Sequence, residues 1–255
     1  MKIGIARLFE DPGIVKNAGF DYLELPLKHF IRLSPDRREA FRKELRKAQL
    51  PVEAVNCFFP DDTKLYGGPE TFECVMEYAR EGVALADSFG ARIVVVGSGA
   101  ARAVPEGMSR AEAKKQFAAI LHSIALLARP YGITVVPEAL RRKETNFLNT
   151  IPEEISLVRE VCEPNCRVMI DFYHFFDNGE EISELDALRP GELRHVHLAN
   201  PERTVPTEKD RELLALWRKA LDERSYDGRV SLECHMEDQS EEALRTARRA
   251  LEVFE

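Results

Sequence analysis

The sequence predicts a (β/α)8 barrel, and three observations carry that prediction. The chain has 255 residues, close to the roughly 250 typical of one such barrel. Eight short apolar segments alternate with helical patterns, a rhythm that implies parallel strands joined by right-handed crossovers. Finally, Glu138, Asp171, His197 and Glu233 close four successive apolar runs, ITVVPE, RVMID, RHVH and VSLE. The gaps between them are 33, 26 and 36 residues, about one strand-plus-helix unit of roughly 30 residues or more.

The strand segments, in order, are KIGIAR (2–7), DYLELPL (21–27), VEAVNCF (52–58), RIVVVGS (92–98), ITVVPE (133–138), RVMID (167–171), LRHVHLA (193–199) and RVSLEC (229–234). Ser34-Pro35 opens a charged amphipathic helix to Ala48, with a capping hydroxyl and a proline at the first helical position. Pro69 to Phe89 reads as a second long helix. Ser109-Arg-Ala-Glu112 and Thr150-Ile-Pro-Glu153 are capping-box signatures, the first opening a helix to about Ala128. Asp210–Glu223 and Ser240–Phe254 supply the last two helices. The first and sixth connections carry only short helical patterns. No linker or low-complexity segment divides the chain, so one domain over 1–255 is expected. The GSG at 97–99 is a strand-end loop and lacks the GxGxxG spacing of a dinucleotide site.

Composition narrows the function classes. Hydrophobic residues make up 44% and charged residues 31%, as in a soluble globular protein. A net charge of -8 is unfavourable for sequence-independent binding to a phosphate backbone, so no nucleic-acid partner is expected. No apolar run approaches the ~20 residues of a membrane helix, and Glu10 and Asp11 interrupt the start where a leader would be apolar. Five scattered cysteines (57, 74, 162, 166 and 234) suit a reducing compartment better than a disulfide framework. The expected location is therefore the cytoplasm. Cys162 and Cys166 form a lone CxxxC, read as structural.

Strand parity gives the site its coherence. Thr134, Val136 and Glu138 share one face; so do Met169 and Asp171, His195 and His197, and Ser231 and Glu233. Side chains alternate with period two, so the apolar residues between them can face the helices while all four polar ends face the barrel axis. Any one of them alone is an ordinary strand-end polar group; four in phase point to a metal site. Three carboxylates and one imidazole favour a hard or borderline divalent ion over a thiolate-type zinc site. One ion is expected, Mn2+ first, with Mg2+, Co2+ or Zn2+ as alternatives. His195 lies one layer deeper and reads as a support or core residue. His235 reads as a rim residue, and His29 and His122 as surface or packing residues.

The segments PEALRRKETNFLNT (137–150), DFYH (171–174), HLANPER (197–203) and LEC (232–234) resemble the xylose isomerase-like barrel superfamily, in particular its ketose 3-epimerase and hydroxypyruvate-isomerase branch. The resemblance implies that Glu138, Asp171, His197 and Glu233 are metal ligands. It implies substrate contacts at His174 and Arg203, and a supporting role at the site for Glu144. The first four strands offer no segment that matches the sugar contacts of that branch.

These residues imply proton abstraction next to a carbonyl, with the metal stabilising the enediolate as a Lewis acid. Glu138 and Glu233 are the expected catalytic pair, one removing a proton and the other returning one. The expected function is a metal-dependent ketose epimerase or aldose–ketose isomerase on a small-molecule sugar or keto acid. A metal-dependent lyase or dehydratase could use the same ligands. An endonuclease IV-like nuclease is disfavoured, because LANPERTVP after His197 lacks the required Asp-x-His. A non-catalytic sugar-binding barrel is a further alternative. Neither loop after the last two strands is glycine-rich, which favours an unphosphorylated sugar. Arg7, Arg102 and Arg203 could together hold a carboxylate, which keeps a keto acid open. Oligomeric state, a homo-oligomer included, is left open.

Overall fold

The computed structural model describes residues 1–255. Eight parallel strands form one sheet: β1 (Lys2–Ala6), β2 (Tyr22–Pro26), β3 (Val52–Asn56), β4 (Ile93–Val96), β5 (Thr134–Pro137), β6 (Val168–Asp171), β7 (Leu193–Leu198) and β8 (Arg229–Leu232). The spatial order is β5-β4-β3-β2-β1-β8-β7-β6. The two end strands are consecutive in sequence and meet through a parallel bridge between Val135 and Cys166. The chain is thus a TIM barrel, as the alternation predicts.

The helices are α1 (Pro12–Asn17), α2 (Leu27–Phe30), α3 (Pro35–Ala48), α4 (Pro69–Phe89), α5 (Arg110–Ala128), α6 (Ile151–Val161), α7 (Phe172–Asp177), α8 (Arg211–Asp222) and α9 (Glu241–Ala250). The predicted caps are in place: Ser34, Ser109 and Thr150 accept from the backbone N–H three residues on. The connections after β1 and β6 carry six-residue helices, short as expected. Two boundaries differ from expectation. The second strand ends at Pro26 because Leu27–Phe30 coils into α2. The last helix stops at Ala250, and Glu252–Phe254 follow as a single 3-10 turn.

Parity sorts the core into two shells. Ile133, Val135, Val168, Ile170, Val196, Leu198, Val230 and Leu232 pack outward against the helices. Ala54, Ile93, Val95, Val136 and Met169 form a separate apolar cluster inside the barrel. The lumen near β2, β7 and β8 is polar instead, holding buried Glu24, His195 and Ser231. Gly4 of β1 makes room for this layer, since a Cβ there would lie 2.3 Å from the Tyr22 ring.

The seam between β5 and β6 has few ladder bonds, namely Val135 N to Asn165 O at 2.8 Å and Arg167 N to Val135 O at 2.9 Å. A side chain spans the rest. Glu154 of α6 is fully buried and accepts from Ala139 N at 3.0 Å and Met169 N at 2.8 Å. Asn165 adds bonds to Ala125 O and Ile133 O. Buried backbone N–H groups must find acceptors, and here a carboxylate supplies what a neighbouring strand does not.

Candidate metal centre and active site

The four expected ligands meet at the carboxyl-terminal mouth of the barrel. Their donor atoms all lie within 4.8 Å of one another. Glu138 and Glu233 each stand one residue past their strands, Asp171 ends β6, and His197 lies within β7. His197 Nδ1 is 3.3 Å from Glu138 Oε1 and 3.4 Å from Glu233 Oε2. Asp171 also caps α7, accepting from Tyr173 N at 2.7 Å and His174 N at 3.3 Å. That capping bond turns the chain so that His174 Nε2 comes within 3.4 Å of Asp171 Oδ2 and 3.9 Å of Glu138 Oε1.

The electrostatics of the cluster call for a cation. Burial, and then the charge of Glu233, push the Asp171 carboxyl up to about 6. Burial also raises Glu138. Burial alone would lower the His197 imidazole, but Glu24 and Glu233 beside it raise it well above its usual value. Glu233 is desolvated too, yet His197 and Arg203 hold it at about 2. His197 Nδ1 and Glu138 Oε1 are buried without a hydrogen-bond partner. Such orphaned atoms are rare unless a ligand satisfies them. The donor set therefore fits a divalent ion with oxygen and imidazole ligands.

Around the quartet, Arg203 donates to Glu233 Oε2 at 3.2 Å and Glu144 Oε1 at 3.1 Å. Arg141 donates to the same Glu144 oxygen at 2.7 Å. Both guanidinium groups lie over the Tyr173 ring, at 5.0 and 4.9 Å from its centroid. The Arg203 backbone is left-handed, with φ of 57°. Its turn is tied down by Thr204 N donating to Asn200 Oδ1 and by His235 N donating to Arg203 O, each at 2.7 Å. His174, Arg203 and Glu144 thus all line one cavity of about 270 Å³ together with Glu138 and Glu233.

The cavity shows what the sequence reading missed. Lys28, Asn56, Phe59, Asp61, Gly97 and Ser98 complete its wall from the ends of β2, β3 and β4. Asn56 Nδ2 donates to Glu233 Oε1 at 3.0 Å, and Lys28 pairs with Asp61 at 3.0 Å. Gly97 leaves space for the Glu138 carboxylate: a Cβ there would lie 2.2 Å from Glu138 Oε2. Cys57 and Ser98 have φ of 46° and 43°, unusual for non-glycine residues and commoner where a site demands it. The signals were there in NCFFPDD and GSG, each directly after a strand.

One expectation is corrected. Arg7, Arg102 and Arg203 do not converge, because neither Arg7 nor Arg102 lines the cavity. Arg102 is fully buried and donates to the carbonyls of Val96 and Leu148 at 3.4 and 3.3 Å. Arg7 turns to the carbonyl of Cys234 at 3.3 Å. The other histidines fall as expected. His195 is a buried support, while His29, His122 and His235 are exposed. All five cysteines are free.

A parallel eight-stranded barrel with three carboxylates and an imidazole gathered at its carboxyl-terminal mouth defines the class, a barrel with a candidate metal centre. The chain belongs to the xylose isomerase-like TIM barrel family, whose model matches residues 13–254. It is similar to a D-psicose 3-epimerase of Agrobacterium fabrum, 38% identical over 88 residues, which are 34% of this chain and 30% of that protein. It is also similar to a 2-oxo-tetronate isomerase of Haemophilus influenzae, 31% identical over 133 residues, about half of each chain. The chain thus spans 30% to 51% of the length of these curated relatives. A crystal structure of a D-psicose 3-epimerase in the presence of D-fructose superposes with a TM-score of 0.81 at 19% identity, covering 99% of this chain and 96% of that one. No helix is long and apolar enough to cross a membrane.

Proposed function

We propose that this protein is a metal-dependent ketose epimerase or isomerase that moves a proton between Glu138, the substrate carbon and Glu233. The observation that carries the reading is the placement of these two glutamates. They come from β5 and β8 and approach His197 Nδ1 at 3.3 and 3.4 Å, and both line the same cavity. The names of the relatives, epimerases and isomerases of ketoses and keto acids, support the same reaction class.

The proposed ligands are Glu138, Asp171, His197 and Glu233, and a divalent ion held by them, with Mn2+ the favoured choice, would polarise the substrate carbonyl as a Lewis acid. Glu138 is poised as a proton acceptor, because it stands just past β5 with its carboxylate in the cavity wall. Glu233 is oriented by Asn56 on one oxygen and Arg203 on the other, which fixes the carboxylate that faces the substrate from the other side. His174 has both ring nitrogens buried and unpartnered, and burial lowers its affinity for a proton. It is suited to hydrogen-bond a substrate oxygen as a neutral imidazole. Glu144 holds Arg203 over the mouth.

The cavity charge favours an uncharged ketose over a keto acid. Lys28 and Arg203 are its cations, against Asp61, Glu138, Glu144 and Glu233 in the wall and Asp171 at the ligand cluster. A divalent ion still leaves a net negative charge, so an anionic substrate would meet repulsion.

Turnover in D2O tests the mechanism. Deuterium should appear at the reacting carbon of the product, and mass should otherwise be conserved, unlike the loss of water by a lyase. Glu138→Gln and Glu233→Gln should each lower turnover by about 100- to 10,000-fold. Unlabelled product at early times, together with full activity in either variant, would remove the two-glutamate reading.

A further inference from the structure

Deeper in the barrel lies a polar layer that meets the proposed chemistry only at His197. Glu24 of β2 accepts from His197 Nε2 at 2.8 Å through Oε1. Its other oxygen accepts from His195 Nε2 at 2.8 Å and from Ser231 Oγ at 2.5 Å. Ser231 Oγ also meets Tyr22 Oη at 2.7 Å. Glu24, Tyr22, His195, His197 and Ser231 are all without exposed surface. Four strands, β2, β7, β8 and, through the Gly4 that makes room for Tyr22, β1, cooperate in one buried network.

Glu24, His195 and His197 could be taken for a second ion site, since their donor atoms cluster. The spacing argues otherwise. Nitrogen-to-oxygen distances of 2.8 Å are hydrogen bonds. Three donors already converge on the one carboxylate, which leaves no room for an ion about 2.0–2.2 Å from each ligand atom.

We infer that Glu24 is a positioning residue that keeps the Nε2 proton of His197 and so leaves Nδ1 as the atom offered to an ion in the gap between Glu138 and Glu233. Two observations meet in this assignment. Nε2 is taken by Glu24, and Nδ1 is buried, unpartnered and directed at the two glutamates. A ring turned over about its Cβ–Cγ bond would lose the Glu24 bond and put a carbon, Cδ2, where Nδ1 stands. A carboxylate behind a ligating imidazole also makes it a stronger donor, and such partners are worth about 10- to 100-fold in metal affinity. The inference rests on the proposed metal reading and extends it to a residue on the opposite side of the barrel.

Glu24→Gln is the variant of choice. Its carbonyl can still accept from His197 while its amide faces His195, so shape is kept and charge is lost. Mn2+ titrated into chelator-stripped protein and followed by calorimetry should bind the variant 10- to 100-fold more weakly than the natural protein. Circular dichroism of both metal-free proteins should be alike. The second measurement uses the natural protein loaded with diamagnetic Mg2+, where nitrogen-15 NMR of His197 should find the proton on Nε2. A folded variant with unchanged Mn2+ affinity overturns the role of Glu24 and leaves the metal reading standing. A natural protein that takes up no Mn2+ overturns both. If the variant does not fold, the NMR result decides alone, and a proton on Nδ1 overturns the inference.

Discussion

Arg203 shows how one side chain can brace the proposed site without being one of its proposed ligands. Its guanidinium joins Glu144 to Glu233 and stacks on Tyr173, and those acids raise its affinity for a proton although burial opposes this. It remains a cation and cannot ligate a metal. Arg203→Ala should therefore reduce kcat/KM at least tenfold while metal analysis still finds close to one ion per chain. Loss of the ion along with activity would make Arg203 a structural element of the ligand cluster. Gly97 makes a complementary case. Its φ is not in the left-handed region, so alanine suits the backbone, but the new methyl would occupy the space of Glu138 Oε2. Gly97→Ala should keep its Tm within a few degrees and lose most turnover and metal affinity, because the flexible carboxylate moves before the barrel does. Unchanged metal binding would show that Glu138 reaches the site by another rotamer.

At the scale of elements, the seam between β5 and β6 is the place where the barrel depends on one side chain. Glu154 bonds the backbone next to Glu138, at Ala139, and the backbone two residues before Asp171, at Met169. It thereby fixes the separation of two proposed ligands as well as closing the sheet. Burial raises its carboxyl well above the usual range, even with two N–H donors on it. Glu154→Gln replaces one acceptor oxygen by an amide that faces a backbone donor. Leaving a buried donor unmet costs about 1–3 kcal/mol. Denaturant unfolding should show a loss of that size, and hydrogen exchange at Met169 or Ala139 should accelerate more than at β1. A loss of stability with no change at either amide would mean that the seam is held by the Asn165 bonds instead.

At the scale of the whole molecule, the ion proposed for the site links function to stability. The metal-free barrel gathers two buried carboxylates and a partly buried third at one mouth, which is costly without a compensating cation. Ligand binding to the folded state alone stabilises it by about 2.7 kcal/mol at a hundredfold excess over Kd, or a Tm rise of roughly 5–10 °C for a chain of this size. Chelator-stripped protein should be inactive, should melt lower by about that amount, and should regain both properties with Mn2+ or Co2+. Full activity in a verified metal-free sample would end the metal reading.

What the sequence determined by itself is whatever short-range periodicity encodes. Period-two alternation placed Glu138, Asp171, His197 and Glu233 on the axial face of their strands, and the repeat length made those strands parallel neighbours. Caps such as Ser34, Ser109 and Thr150 marked helix starts through bonds that span three residues. The tertiary structure alone decided the rest. Glu24 reads in YLELP as a polar interruption of a buried strand, and its partners His195 and His197 lie 171 and 173 residues away. Glu154 reads as an acidic residue in the first turn of a helix, where it would favour the dipole, yet it closes the barrel. Arg102 reads as a candidate anion contact but is spent on two buried carbonyls. Lys28, Asn56 and Asp61 enter the cavity only because closure brings the first strands around to the last. Local spacing fixes which face a side chain takes, whereas which groups meet across the lumen depends on closure of the whole sheet.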